Sequence, residues 1–149
     1  MGYGGRVNAP LKAGWTLWPL RISATVAAVL LFDQAVFAGQ FLSGTFTALH
    51  THRENATYAG LAVLATGVCA VLLRWPGRGP LWPVIACLGQ FALIGLQIAL
   101  GFARVLALHI PLGVVIILGW IHLTVWVWRY RPTHVRSAAA RPTTSAVHS

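Results

Sequence analysis

The sequence predicts an all-α membrane protein: an antiparallel bundle of four transmembrane helices with both chain ends in the cytoplasm. Three observations predict it. The 149 residues are 57% hydrophobic and only 9% charged, where soluble globular domains carry about 25% charged residues. The apolar residues gather into four runs, at about 22–49, 56–73, 81–100 and 105–128. Each approaches or exceeds the ~20 residues that cross a ~30 Å hydrocarbon layer. The basic residues, finally, are lopsided. Arg6, Lys12, Arg21, Arg74, Arg78, Arg129, Arg131, Arg136 and Arg141 fall on one side of the four runs, and only Arg53 and Arg104 on the other. The excess of positive charge puts the first side in the cytoplasm. Helices are required because lipid offers the backbone no hydrogen bonds, and the runs lack the alternation of barrel strands.

Residues 1–20 read as a cytoplasmic or interfacial segment with Trp15, Trp18 and Pro19. The first run is too long for a signal peptide and carries Asp33. Along it Asp33, Val36, Gln40, Ser43, Thr47 and His50 recur at alternating spacings of three and four, which lines one helix face. A polar stripe is costly against lipid, so this face is expected to point into the bundle. "HTHREN", His50 to Asn55, then reads as the first loop. The second run has the small-residue spacing Ala62, Thr66, Ala70, compatible with close helix packing, and "GRGP", Gly77 to Pro80, is turn chemistry. Gln90 and Gln97 share one face of the third run. The chain turns near Gly101–Arg104, and the fourth run carries His109 and His122. Trp15, Trp18, Trp75, Trp82, Trp126 and Trp128 fall near the cytoplasmic face, where interfacial anchors belong. The tail, 131–149, is rich in Ala, Ser, Thr and Pro and predicts disorder. No internal repeat is evident.

The net charge of +9 is spent on topology, so no nucleic-acid partner is expected; the expected partner is the bilayer of the plasma membrane. No nucleophile–base set, phosphate loop or dinucleotide fingerprint occurs. Cys69 and Cys87 lie inside the second and third runs and read as packing residues.

The histidines carry more. His109 lies five residues past Arg104, so about 7 Å below that turn at 1.5 Å per residue. His50 and His52 sit beside the opposite turn at a similar depth. Two hairpins thus bring imidazoles to one level. Paired imidazoles on facing bundle helices are a usual way of holding haem iron. Gly39, Gly44, Gly60 and Gly113 would leave room for the flat porphyrin, and Gln97 lies at the depth of His109. Arg53 and Arg104 would pair with haem propionates through parallel hydrogen bonds. His109 with either His52 or His50 opposite it is the expected holder of the iron of a haem b. One haem near one face cannot carry electrons across the membrane, so a redox or membrane-complex protein partner is implied. A homo-oligomer is also compatible.

These residues resemble the haem A synthases, whose two four-helix halves are each built around a histidine pair. The pieces are "HR" (His52–Arg53), "LQIALG" (Leu96–Gly101) and "LALHIPLG" (Leu106–Gly113), within a span from Gly39 to Trp120. The chain resembles one such half, and the resemblance implies that His52 and His109 are axial ligands, with His50 the reserve ligand. It departs from the family pattern in having Glu54 two residues after His52 rather than a glutamate before it. The outer cysteine pair and the second half are also missing, so the family's methyl oxidation is not expected of this chain. The sequence is similar as well to small four-helix membrane proteins of actinobacteria, a likeness that implies no activity.

Other readings stay open. A cofactor-free accessory or assembly subunit would use the polar seam only for helix packing. A proton-coupled transporter would use Asp33, though it would more often show repeats or broken helices. Zinc would draw on His50, His52, Glu54 and His109. His122 is thirteen residues beyond His109 and faces nearly the opposite way, where Asp33 is a candidate contact. His134 and His148 in the tail are not expected to be ligands.

Overall fold

The computed structural model describes residues 14–132. The expected disorder of the tail, together with His134, His148, Arg6, Lys12, Arg136 and Arg141, falls outside the described residues. Four helices are present: α1 (Gly14–Leu42), α2 (Ala48–Arg74), α3 (Trp82–Phe102) and α4 (Leu106–Arg129). All four are long and apolar enough to cross a membrane. Even α3, the shortest at 21 residues, is about 31 Å long at 1.5 Å per residue. Phe32, Leu61, Leu88 and Leu118 are each more than half exposed on the outside of the bundle, as lipid-facing side chains are. The protein is a multi-pass membrane protein.

The helices pack as a closed ring, α1 on α2 and α4, and α3 on α2 and α4. α2 and α4 therefore face each other across a diagonal. Ring closure is anchored by Trp120, which is fully buried and donates its indole N–H to the Ala24 carbonyl at 2.9 Å; Thr124 donates to the same oxygen at 3.3 Å. At the terminal end of the bundle Arg21 lies over the rings of Trp18 and Trp128. It also donates to the carbonyls of Val127 and Tyr130. A cation there meets the otherwise unpaired carbonyls at the end of α4. At the same end Trp126 stacks on Tyr130 and meets Trp82 edge-on.

The helix ends differ from the sequence expectation. α1 begins at Gly14, so Trp15 to Arg21 are helical, and it ends at Leu42 rather than running to residue 49. α2 begins at Ala48, so "HTHREN" is its opening turns and not a loop. The physical reason is Gly44, at φ +99°. It ends α1 in a Schellman turn: Thr45 N–H reaches the Gln40 carbonyl at 2.9 Å and Gly44 N–H the Phe41 carbonyl at 3.0 Å. α3 ends in the same way. Val105 N–H reaches Leu100 and Arg104 N–H reaches Gly101, with Arg104 in the left-handed region at φ +57°. For a non-glycine residue that conformation costs about 1–2 kcal/mol, which the paired carbonyls offset.

The stripe expected to face inward does not. With α1 ending at Leu42, Val36, Gln40, Ser43, Thr47 and His50 are exposed and only Asp33 is half-buried. The inward polar residue of α1 is Gln34. Packing is also uneven along the bundle. Leu20, Ala24, Ala27, Val63, Thr66, Ala70, Leu73, Trp120 and Val127 form a fully buried core toward the terminal end. In the half that holds the two short turns, over 32–58 and 91–115, only Ala48 and Asn55 are buried.

Candidate functional site

The loosely packed half is where the histidines meet. α2 and α4 make no backbone contact, yet the rings of His52 and His109 reach across the diagonal to a centroid separation of 6.4 Å, inclined at 61°. Each ring is held by its own hairpin. His52 Nδ1–H donates to the backbone carbonyl of Gln34 on α1 at 3.1 Å, and Gln34 Nε2 donates back to the His52 carbonyl at 3.1 Å. On the other side His109 Nδ1–H donates to the Gln97 carbonyl of α3 at 2.9 Å, and Gln97 Nε2 donates to the His109 carbonyl at 2.8 Å. A carbonyl only accepts, so the bonded ring nitrogen must carry the hydrogen. In the neutral ring Nε2 then keeps its lone pair, and neither Nε2 has a hydrogen-bond partner among the described residues.

Two glycines make room for this. A Cβ on Gly101 would stand 3.0 Å from His109 Cε1, and one on Gly113 would stand 2.9 Å from Gln97 Nε2. At Gly39, Gly44 and Gly60 nothing lies within 4 Å, so these three border open space. Asn55, one turn past His52, is buried and donates to the Leu30 carbonyl at 2.8 Å. The opening turns of α2 therefore divide their polar residues by face. His52 and Asn55 turn toward α1, while His50 pairs with Glu54 on the outside at 3.4 Å. Arg53 and Arg104 are exposed at the same end of the bundle, and neither has an ion-pair partner among the described residues.

His50, the reserve ligand, is thus not brought to the His52–His109 pair. Its side chain is 77% exposed. The zinc set does not assemble, since no cluster of three or more His, Cys, Asp or Glu side chains fit to hold a metal ion occurs among the described residues. His122 is exposed and sits beside Trp82, 6.3 Å between ring centres, so it does not pair with Asp33. Sequence reasoning missed Gln34 and the inward role of Asn55. The signal for Gln34 was its likeness to Gln97: each is a glutamine on the first helix of a hairpin whose second helix opens with a histidine.

The fit of the residues to a haem can be tested on the donor set. Imidazole nitrogens lie about 2.0–2.1 Å from a bound metal, so two on opposite sides of one ion would stand about 4 Å apart and their ring centres slightly over 6 Å. The observed 6.4 Å agrees. Two ligands suffice where a porphyrin fills the remaining positions, and the sparse packing of this half leaves the flanks free of core side chains. No protein-family model, curated protein or solved structure matches the chain.

Proposed function

We propose that the chain is a haem-b-binding protein of the plasma membrane, with His52 and His109 as the axial ligands, serving electron transfer or haem handling. The observation that carries this reading is the meeting of the two imidazoles across the diagonal, in the half of the bundle that has almost no buried core. Interiors are normally close-packed, so a half-bundle with two facing imidazoles and almost no buried core suits a ligand better than it suits a purely structural seam. When bound, the haem would supply one-electron chemistry at its iron.

The chain's own residues do the rest. The backbone carbonyls of Gln34 and Gln97 accept from the two Nδ1–H groups, which leaves the Nε2 lone pair of each neutral ring for the iron. The aliphatic residues of α1 to α4 exclude water and keep the local dielectric low. Arg53 and Arg104 are free to meet carboxylates at the turn end, as propionates would require. That end faces outward if the basic residues of the terminal end lie in the cytoplasm. A redox partner would then dock on the turn face. The likeness of "HR", "LQIALG" and "LALHIPLG" to one half of a haem A synthase is in keeping with the ligand assignment.

The test is expression with ample haem and an absorption spectrum in mild detergent. A Soret band that shifts and sharpens on dithionite reduction, present in the wild type and in His122→Ala but lost in His109→Ala, is expected. Colourless protein would instead favour the cofactor-free accessory subunit.

A further inference from the structure

We infer that Gln34 and Gln97 are a duplicated pair of positioning residues, and that the bundle is a two-fold repeat of one imidazole-presenting hairpin. The inference rests on the haem reading for its purpose and on the hydrogen bonds alone for its content.

The correspondence is residue by residue. In each hairpin a glutamine on the first helix donates its side-chain amide to the carbonyl of the histidine on the second, and the histidine Nδ1–H returns to the glutamine's own carbonyl. Each first helix ends in a Schellman turn on a left-handed residue, Gly44 or Arg104. Gln34 and His52 stand 18 residues apart, and Gln97 and His109 stand 12 apart. The left-handed residue divides these spans into ten and eight, and into seven and five. The first hairpin is therefore the second with three residues, nearly one helical turn, added to each arm. The addition is equal on both arms, so it lengthens the hairpin and leaves the clasp in register.

The clasp has a chemical consequence that simple packing glue would lack. Neutral histidine in water favours the hydrogen on Nε2. A carbonyl fixed opposite Nδ1 reverses that choice, because the carbonyl cannot donate. The amide bond running the other way holds the histidine backbone against the same helix, which keeps the ring within reach of that carbonyl. Each hairpin thus holds one imidazole by Nδ1, and the two rings stand 6.4 Å apart between centroids before any ligand arrives. An outer partner that sets tautomer and ring direction is what metal-bound histidines commonly have. Here it is built from the neighbouring helix of the same hairpin, twice.

The experiment uses the full-length, haem-free chain in lipid nanodiscs, labelled with ¹⁵N-histidine and ¹³C-carbonyl glutamine. Solid-state NMR is recorded at about pH 8.5, two units above the usual histidine pKa of about 6.5. The expected result is two imidazoles with hydrogen on Nδ1, each showing a through-space contact from Nδ1 to a glutamine carbonyl carbon. Gln97→Met, with its carbonyl carbon labelled, keeps the accepting backbone carbonyl and loses only the amide bond to the His109 carbonyl; the contact from His109 Nδ1 to that carbonyl should weaken several-fold while that of His52 is kept, and Gln34→Met should do the reverse. Hydrogen on Nε2 at both sites in the wild type overturns the inference. So does a Gln97→Met chain whose His109 contact is unchanged. Colourless protein with both Nδ1–H signals in place would overturn the haem reading and leave this one standing; a red protein with Nε2–H rings in the haem-free state would do the opposite.

Discussion

Replacing Gly101 by alanine separates ligand geometry from stability. The new Cβ arrives 3.0 Å from His109 Cε1 and 3.3 Å from Nδ1, so the ring must give way by a few tenths of an ångström. Gly→Ala inside a helix gains about 0.8–1.0 kcal/mol, and less at Gly101, which is the second-last residue of α3. Against this, a ring pushed off its rotamer costs about 0.5–1.5 kcal/mol. Weakening the bond from His109 Nδ1–H to Gln97 costs about 0.5–1.5 kcal/mol more. The sum is a loss of roughly 0–3 kcal/mol, whose size the unfolding measurement reads separately. Ligand affinity is more exposed, because disturbing the outer partner of a metal-bound histidine typically costs about 10–100-fold. Gly95→Ala is the control, since nothing lies within 4 Å of its Cβ position. Haem titration of the purified apo-protein, beside unfolding in mixed detergent, reads both quantities. Gly101→Ala is expected to bind haem at least tenfold more weakly than Gly95→Ala at similar stability. Equal affinity in the two variants would refute the claim that the ring is held in the orientation the ligand needs.

Further outcomes follow from the same structure. His50→Ala should keep the full Soret band, since that ring pairs with Glu54 on the outside; a lost band would make His50 a ligand. Asn55→Ala should destabilise the bundle by about 0.6 kcal/mol, the average for a hydrogen bond between membrane helices, and by no more than about 1.7, measured by equilibrium unfolding in mixed detergent micelles. Arg21→Met removes two hydrogen bonds to the end of α4 and two aromatic contacts. Its cost should exceed that of Asn55→Ala, at about 2 kcal/mol or more. A cysteine at Thr45 in intact cells should react with an impermeant maleimide, whereas one at Arg78 should not; the reverse pattern would invert the orientation.

The four membrane runs were legible because hydrocarbon solvation is a bulk property of twenty residues at a time. Their ends were not. Phe46, Ala48 and Leu49 extend the first run in hydropathy although the helix has already stopped, and only Gly44 marks the break. That single misplaced end turned the wrong face of α1 inward: it promoted Gln40 and Ser43, which are exposed, and hid Gln34, which is not. His52 and His109 were found because turn counting fixes depth better than it fixes rotation. The repeat escaped notice because three extra residues on each arm of the first hairpin shift every match, and because a glycine and an arginine play the same left-handed part. Their shared role lies in backbone conformation, which residue type alone does not reveal.

The most direct measurement is low-temperature electron paramagnetic resonance of the oxidised, haem-loaded protein. Two imidazoles meeting at one iron predict a low-spin ferric signal that becomes high-spin in both His52→Ala and His109→Ala. A high-spin wild type, or a low-spin signal that survives loss of either histidine, would contradict the pairing of these rings around a haem.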